Sequence, residues 1–170
     1  MRVLVTVGSE RGGTEELGEM VAEDLRAEGF NVDVRPPREV QGLDEYDAVV
    51  VGGAVYAVHW HPDAREFVRD HAEELQARPT WFFSSGPLDN SAESRFIPPV
   101  AGVVKLMRRV NARGHATFGG RLTPDAKGFA ASALAKKHSG DWRDPAQVRT
   151  WAHDIASQLH AVDAGAAANG

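Results

Sequence analysis

Between Val7 and Glu15 the chain reads Gly8-Ser9-Glu10-Arg11-Gly12-Gly13-Thr14, with small residues at its bends and hydroxyls toward both ends. That pattern suits a phosphate. A loop that feeds a helix N-terminus presents backbone N–H groups without intrahelical partners, together with the positive end of the helix dipole. The glycines let this backbone approach an anion closely, Ser9 and Thr14 add hydroxyl donors, and Arg11 adds a positive charge. On this segment alone a plain glycine-rich turn between a strand and a helix stays open as the other reading. No Lys-Ser or Lys-Thr follows the glycines, so this is not a nucleoside-triphosphate loop. Nor does Gly12-Gly13 fit the dinucleotide spacing Gly-x-Gly-x-x-Gly.

Several other chemistries drop out. There is no cysteine, which removes disulfides, thiolate metal sites, thiol nucleophiles and iron–sulfur ligation, so redox chemistry here needs a bound cofactor. His59 and His61 sit two apart without evident further ligands, and no metal site is expected. No serine lies in Gly-x-Ser-x-Gly, which removes the usual hydrolase argument. A phosphorylated receiver needs clustered acids and an aspartate after the third strand, where the sequence is Val51-Gly52-Gly53. A net charge of −5 without a basic stripe argues against nucleic acid as the main partner.

The elements that must position the loop follow from periodicity. Apolar, β-branched runs at residues 2–7, 31–34 and 48–51 are each followed by helical spacing, the first helix opening near Gly12 or Gly13 with Leu17, Met20, Val21 and Leu25 on one face. Pro62 opens a helix that closes near Arg78-Pro79. Residues 80–84 read as the fourth strand, 98–110 as a helix and 116–118 as a short fifth strand. Asp144-Pro145-Ala146-Gln147 offers an N-cap acid, a first-turn proline and a glutamine three residues after the cap, and Val148, Trp151, Ile155 and Leu159 continue that helix. Five strands alternating with helices predict an α/β fold with a doubly wound parallel sheet and a ligand crevice at the carboxyl ends of the strands.

The 170 residues, 42% of them hydrophobic and 25% charged, suffice for one compact domain. Residues 1–161 read as that domain and 162–170 as a frayed tail rich in alanine and glycine. The segment 123–139 reads as a solvated surface helix or lid. No run approaches the roughly 20 apolar residues of a membrane span, and the opening valine-rich run is too short for a signal-peptide core. A cytoplasmic protein with no integral membrane segment is expected.

Ser9-Glu10-Arg11-Gly12-Gly13-Thr14 matches the Ser/Thr-x-x-Gly-x-Thr phosphate loop of the flavodoxin family, which the chain resembles over about residues 2–160. Two further segments agree. Residues 47–56, followed by His59-Trp60-His61-Pro62, look like the third strand and first flavin loop of the branch that includes the menaquinone-dependent protoporphyrinogen oxidases. Trp81-Phe82-Phe83-Ser84-Ser85-Gly86-Pro87 looks like strand four and the second flavin loop, and Gly140-Asp141-Trp142-Arg143-Asp144 is similar to that branch's Asp-Trp sequence. The resemblance implies a flavodoxin-like three-layer sandwich with strand order 2-1-3-4-5 and non-covalent flavin mononucleotide (FMN). It puts the FMN phosphate on Ser9, Glu10, Arg11, Gly12, Gly13 and Thr14, and the ring between Gly53, Ala54, Val55, Tyr56 and Ala57 on one side and Ser84, Ser85, Gly86 and Pro87 on the other. Tyr56 or Trp60 would give the ring a stackable face, with ordinary packing the alternative for each.

The implied role is that of an oxidoreductase or electron carrier, with protoporphyrinogen the most specific substrate suggested. The redox partner, a quinone or another small-molecule acceptor, is not fixed by the sequence. The rival is a flavin-binding module used for regulation or docking, and a homodimer stays open. Electron-transfer flavodoxins tend to surround the flavin with acids and carry an aromatic residue in the second loop. Here that loop is Ser-Ser-Gly-Pro-Leu, with Arg11, His59 and His61 nearby, so two-electron chemistry is expected over one-electron shuttling.

Overall fold

Along the first apolar run, side chains alternate between two separate cores: Val3, Val5 and Val7 join one cluster and Leu4 the other. Later runs repeat this. Ala48, Val50, Trp81 and Phe83 lie in the first cluster, Val49, Val51 and Phe82 in the second. A strand covered on both faces is apolar at nearly every position, which is why these runs read as continuous.

The computed structural model describes residues 1–10, 12–86, 92, 96–122 and 139–168. The runs form β1 (Arg2–Gly8), β2 (Asn31–Arg35), β3 (Ala48–Tyr56), β5 (Thr80–Ser85) and β6 (Gly114–Phe118), with a two-residue β4 (His59–Trp60) between β3 and β5. The five long strands are parallel in the order β2-β1-β3-β5-β6. This is the expected 2-1-3-4-5 arrangement, and β4 is an added strand pairing antiparallel with the end of β3.

Helices α1 (Gly13–Ala27) and α5 (Pro145–Ala168) cover one face, with Leu17, Val21, Leu25, Val148, Ile155 and Leu159 in the first cluster. On the other face α2 (Pro62–Asp70), α3 (Ala72–Gln76) and α4 (Ala101–Val110) bring Phe67, Val68, Leu75, Val103 and Leu106 into the second. The result is a flavodoxin-like three-layer α/β sandwich. Two short strands, β7 (Arg121–Leu122) and β8 (Gly140–Asp141), form a separate antiparallel pair.

The middle of the sheet depends on absent side chains. A Cβ on Gly52 would stand 2.1 Å from the Phe83 ring, and one on Gly53 2.5 Å from Trp60 Nε1. Phe83 and Trp60 belong to opposite faces, so each glycine is a socket for one aromatic ring. This is how a strand can carry two adjacent glycines and stay densely packed.

Several details differ from the sequence expectations. The helix opened by Pro62 is interrupted at His71, whose ring nitrogen meets Glu74 Oε1 at 2.7 Å. Helix α4 begins at Ala101 and not at Pro98, because successive prolines hold the preceding residues extended. At the start of α5, Asp144 Oδ1 accepts from the Ala146 N–H at 2.9 Å, as an N-cap should. Gln147 does not fold back to complete a capping box; its amide donates to the Ala92 carbonyl at 2.7 Å. Helix α5 continues to Ala168 where a frayed tail is expected, with residues 160–168 exposed. Alanine is the strongest helix former, so the helix outruns its packing. Of the 123–139 segment only Ser139 falls within the described residues. Among those residues no helix is long and apolar enough to cross a membrane.

Candidate functional site

Parallel pairing sets three segment ends side by side. Gly8 of β1 pairs with Gly53 of β3, and Gly53 pairs with Ser84 of β5. The phosphate-type loop, the loop after β3 and the loop after β5 therefore leave the same edge of the sheet.

In the first of these loops Gly12 is left-handed, at φ 74, and stands at the N-cap of α1 without a side-chain capping bond. Among the described residues a Cβ there meets nothing within 4 Å, so the loop needs glycine for its backbone angle and opens to space there. Thr14 is buried in the first turn, Gly13 is buried, Ser9 half-buried and Glu10 exposed. Arg11 lies outside the described residues. The helix start thus has a dipole and orphan donors, and its N-cap residue, a glycine, brings no side-chain acceptor to them.

Two arginines flank this helix start. Arg121 Nη1 binds Glu16 Oε2 at 2.8 Å. Arg143 also reaches Glu16, and it is clamped by Asp141 at 2.6 Å while pointing Nη1 toward the Gly13 carbonyl at 3.4 Å. Its hydrogen bond to Asp141 holds the guanidinium charged more firmly than usual despite burial, and the same bond holds Asp141 below the ordinary carboxylate range. The β7–β8 pair thereby fixes two cations beside the loop, partly offset by Glu16 and Asp141.

His61 lies on the other side. Its side chain caps α2, Nδ1 accepting from the Asp63 N–H at 3.2 Å. This assigns the ring proton of the neutral form to Nε2. His61 is 5% exposed, and among the described residues its buried Nε2 has no hydrogen-bond partner and stands 3.7 Å from Glu10 Oε1. A buried N–H with nothing to donate to, against the end of a phosphate-type loop, is the feature expected where an anionic oxygen belongs.

The segment after β3 is less of a loop than its sequence implies. Gly53 to Tyr56 continue the strand, Val55 pairs with Trp60 and Tyr56 with His59. Ala57 and Val58 make the turn with φ of 45 and 60, both unusual for residues other than glycine. Trp60 is 2% exposed and stacks on Phe82 at 5.1 Å. It is a core residue and gives a ring no face; Tyr56 is half-buried and Ala57 exposed. Gly53 and Ala54 are buried in the central strand, and the Ala54 carbonyl accepts from the His61 N–H at 2.8 Å.

At the end of β5, Ser84 and Ser85 are buried in the strand, and Gly86, the next residue, donates its N–H toward the Phe118 carbonyl at 3.4 Å. Pro87 lies outside the described residues. Ser84 Oγ lies 2.8 Å from His115 Nε2, and burial pushes the His115 imidazole down to about 4. Between Val55, Ser84, Gly86 and Thr117 a crevice of about 170 Å³ opens, bounded outside by Ile97 to Val100. Thr117 Oγ1 donates to the Ile97 carbonyl at 3.0 Å and ties that segment down. Ordinary ligand pockets run from about 300 Å³ upward, so the crevice has room for no more than part of a flat ring.

The sequence singled out the three loops, and the structure brings them to one edge. It did not single out Arg121, His61 as an inward donor, or the Ile97 strap. The only sequence signals were the Asp-Trp-Arg segment for Arg143 and Pro62 at a helix start, which makes His61 a cap.

The chain spans about half the length of the curated relatives it matches. One is the protoporphyrinogen IX dehydrogenase [quinone] of Escherichia coli K12, 29% identical over 97 residues, covering 56% of this chain and 54% of that protein. Among solved structures, a flavodoxin mutant of Pseudomonas aeruginosa superposes with a TM-score of 0.63 at 16% identity, covering 94% of this chain and 99% of that one. The rubredoxin oxygen:oxidoreductase of Desulfovibrio gigas also gives 0.63 at 16% identity, covering 94% of this chain and 36% of that one. The model of the Flavodoxin domain family matches residues 4–135, which is most of the chain, and with the loop geometry above the protein belongs to that family.

Proposed function

We propose that this protein binds FMN non-covalently at the edge formed by the ends of β1, β3 and β5 and acts as an FMN-dependent oxidoreductase. The observation that carries this reading is the glycine-led start of α1, open and without a side-chain cap, beside the unpartnered Nε2 of His61. Both suit a phosphate dianion. Gly12, Gly13 and Thr14 would hold it through backbone and hydroxyl donors, with His61 Nε2–H and Ser9 alongside.

FMN would supply reversible acceptance of one or two electrons, which this chain's own side chains lack. The protein's part is positioning. Val55, Gly86 and Thr117 line the crevice for part of the ring, and the Ile97 strap limits water there. The E. coli relative is named a protoporphyrinogen dehydrogenase that uses a quinone, and a cyclic tetrapyrrole precursor as hydride donor with a quinone-type acceptor is the specific pairing proposed here. Cytoplasmic location belongs to the same proposal.

The test is titration of the purified protein with FMN and with riboflavin, followed by flavin absorbance and fluorescence. Thr14→Val removes one charge-assisted hydrogen bond, of about 1.5–3 kcal/mol, and should weaken FMN roughly 10- to 150-fold. Riboflavin, which lacks the phosphate, should bind wild type and variant alike. Equal loss of both flavins would refute the phosphate assignment, and a protein that binds neither would refute the FMN reading.

A further inference from the structure

A second concave site lies between α2 and α4, away from the phosphate-type loop. Its volume is about 720 Å³, within the range of pockets that hold whole small molecules. Arg65 and Arg69 line it from α2, Lys105 and Arg109 from α4. Each pair is one helical turn apart, about 6 Å along the axis, so two short cationic rows face one groove. Of the acids on these helices, Asp63 is paired with Arg38, and Glu66 and Asp70 of α2 are exposed and are not among the residues lining the groove. Among the described residues none of the four cations makes an ion pair, although the chain as a whole is acidic. Arg65 Nε is buried with no hydrogen-bond partner. Helix α4 starts at Ala101 without a side-chain cap, and Ala101 and Gly102 belong to the same wall.

Apolar surface completes it. The exposed Val58 lines the groove, with the buried Trp60 and Leu106 at its floor, and Val100 borders both this groove and the crevice between β3 and β5. Four like charges gathered in one groove with no acid among its lining residues repel one another in the free protein. A multivalent anion relieves that repulsion.

We propose that this groove binds a small organic polyanion with an apolar body and at least two carboxylate or phosphate groups, held next to the crevice. The assignment does not depend on flavin binding. The groove size favours such a molecule over a flat protein contact.

Calorimetric titration of the purified protein with benzene-1,3,5-tricarboxylate and with inorganic tripolyphosphate tests it. At least one probe should bind at a single site. The charge-reversed variant Arg69→Glu/Lys105→Glu, at two exposed positions, should weaken binding by roughly tenfold or more. Arg108→Glu, exposed on the same helix but outside the groove, should change it by less than about twofold. Preference for the carboxylate or the phosphate probe supports the site and names its ligand group. Thr14→Val separates this site from the phosphate-type loop and should leave both titrations unchanged. Absence of binding by both probes at millimolar concentration, equal loss in Arg108→Glu, or loss in Thr14→Val alone would overturn the proposal.

Discussion

His115 shows how a single side chain sets a pH dependence. Burial lowers its pKa from the usual 6.5 to about 4 in the folded protein, so between those values the unfolded chain binds a proton that the native state refuses. Stability should therefore fall as pH drops from 6.5 to about 4, by up to about 3 kcal/mol, less whatever the exposed part of the ring recovers from solvent. His153, raised by its hydrogen bond to Glu28, acts in the opposite sense from an exposed position. Urea midpoints of wild type and His115→Gln across this range isolate the effect; a variant that keeps the full slope would remove His115 as its cause. At this scale the sequence was only partly legible. Glycines, serines and threonines of the loops declare themselves by type and spacing, whereas the inward donor of His61 depends on a cap made two residues ahead, at Asp63.

At the scale of elements, the hairpin of β3 and β4 holds Ala57 and Val58 at positive φ. For a β-branched residue this costs on the order of 1–2 kcal/mol, of which glycine's flexibility returns only part. Val58→Gly should stabilise the protein by about 1 kcal/mol and raise its Tm by roughly 2–4 °C, read by calorimetry; no gain or a loss would mean the exposed valine has a partner. Removing the cap of α5 by Asp144→Ala should cost about 1 kcal/mol, read by chemical denaturation. The strands and helices were legible because alternation between two cores and helical spacing leave strong marks. The β3–β4 hairpin was not, since Gly52-Gly53 resembles the start of a loop until Phe83 and Trp60 are seen to fill the space. Nor were β7 and β8, two residues each, whose pairing joins Arg121 to Asp141.

For the molecule as a whole, the two apolar clusters and the parallel sheet make the three site loops rigidly dependent on one another. Gly53→Ala puts a Cβ 2.5 Å from the Trp60 indole and should cost about 1–3 kcal/mol by overpacking. Because Gly53 joins β1 to β5, the same change should weaken FMN and riboflavin together, unlike Thr14→Val. Global unfolding and flavin titration of the variant measure the two consequences. Unchanged flavin affinity would show that the loops tolerate motion of the strand.

The strand order has a kinetic corollary. Neighbours β1 and β3 are separated in the chain by β2, and β5 pairs with β3 on one side and β6 on the other. Parallel pairings of this kind close long loops and form slowly. A chain in which β5 has not yet joined the sheet would lack one wall of the crevice, lined by Ser84 and Gly86, and would not grip a flavin there. In refolding experiments, helical circular dichroism should recover before quenching of flavin fluorescence does, and added FMN should slow unfolding while leaving the early folding phase untouched. If the proposed flavin site is complete only when β5 is in place, the flavin signal would time the completion of the sheet.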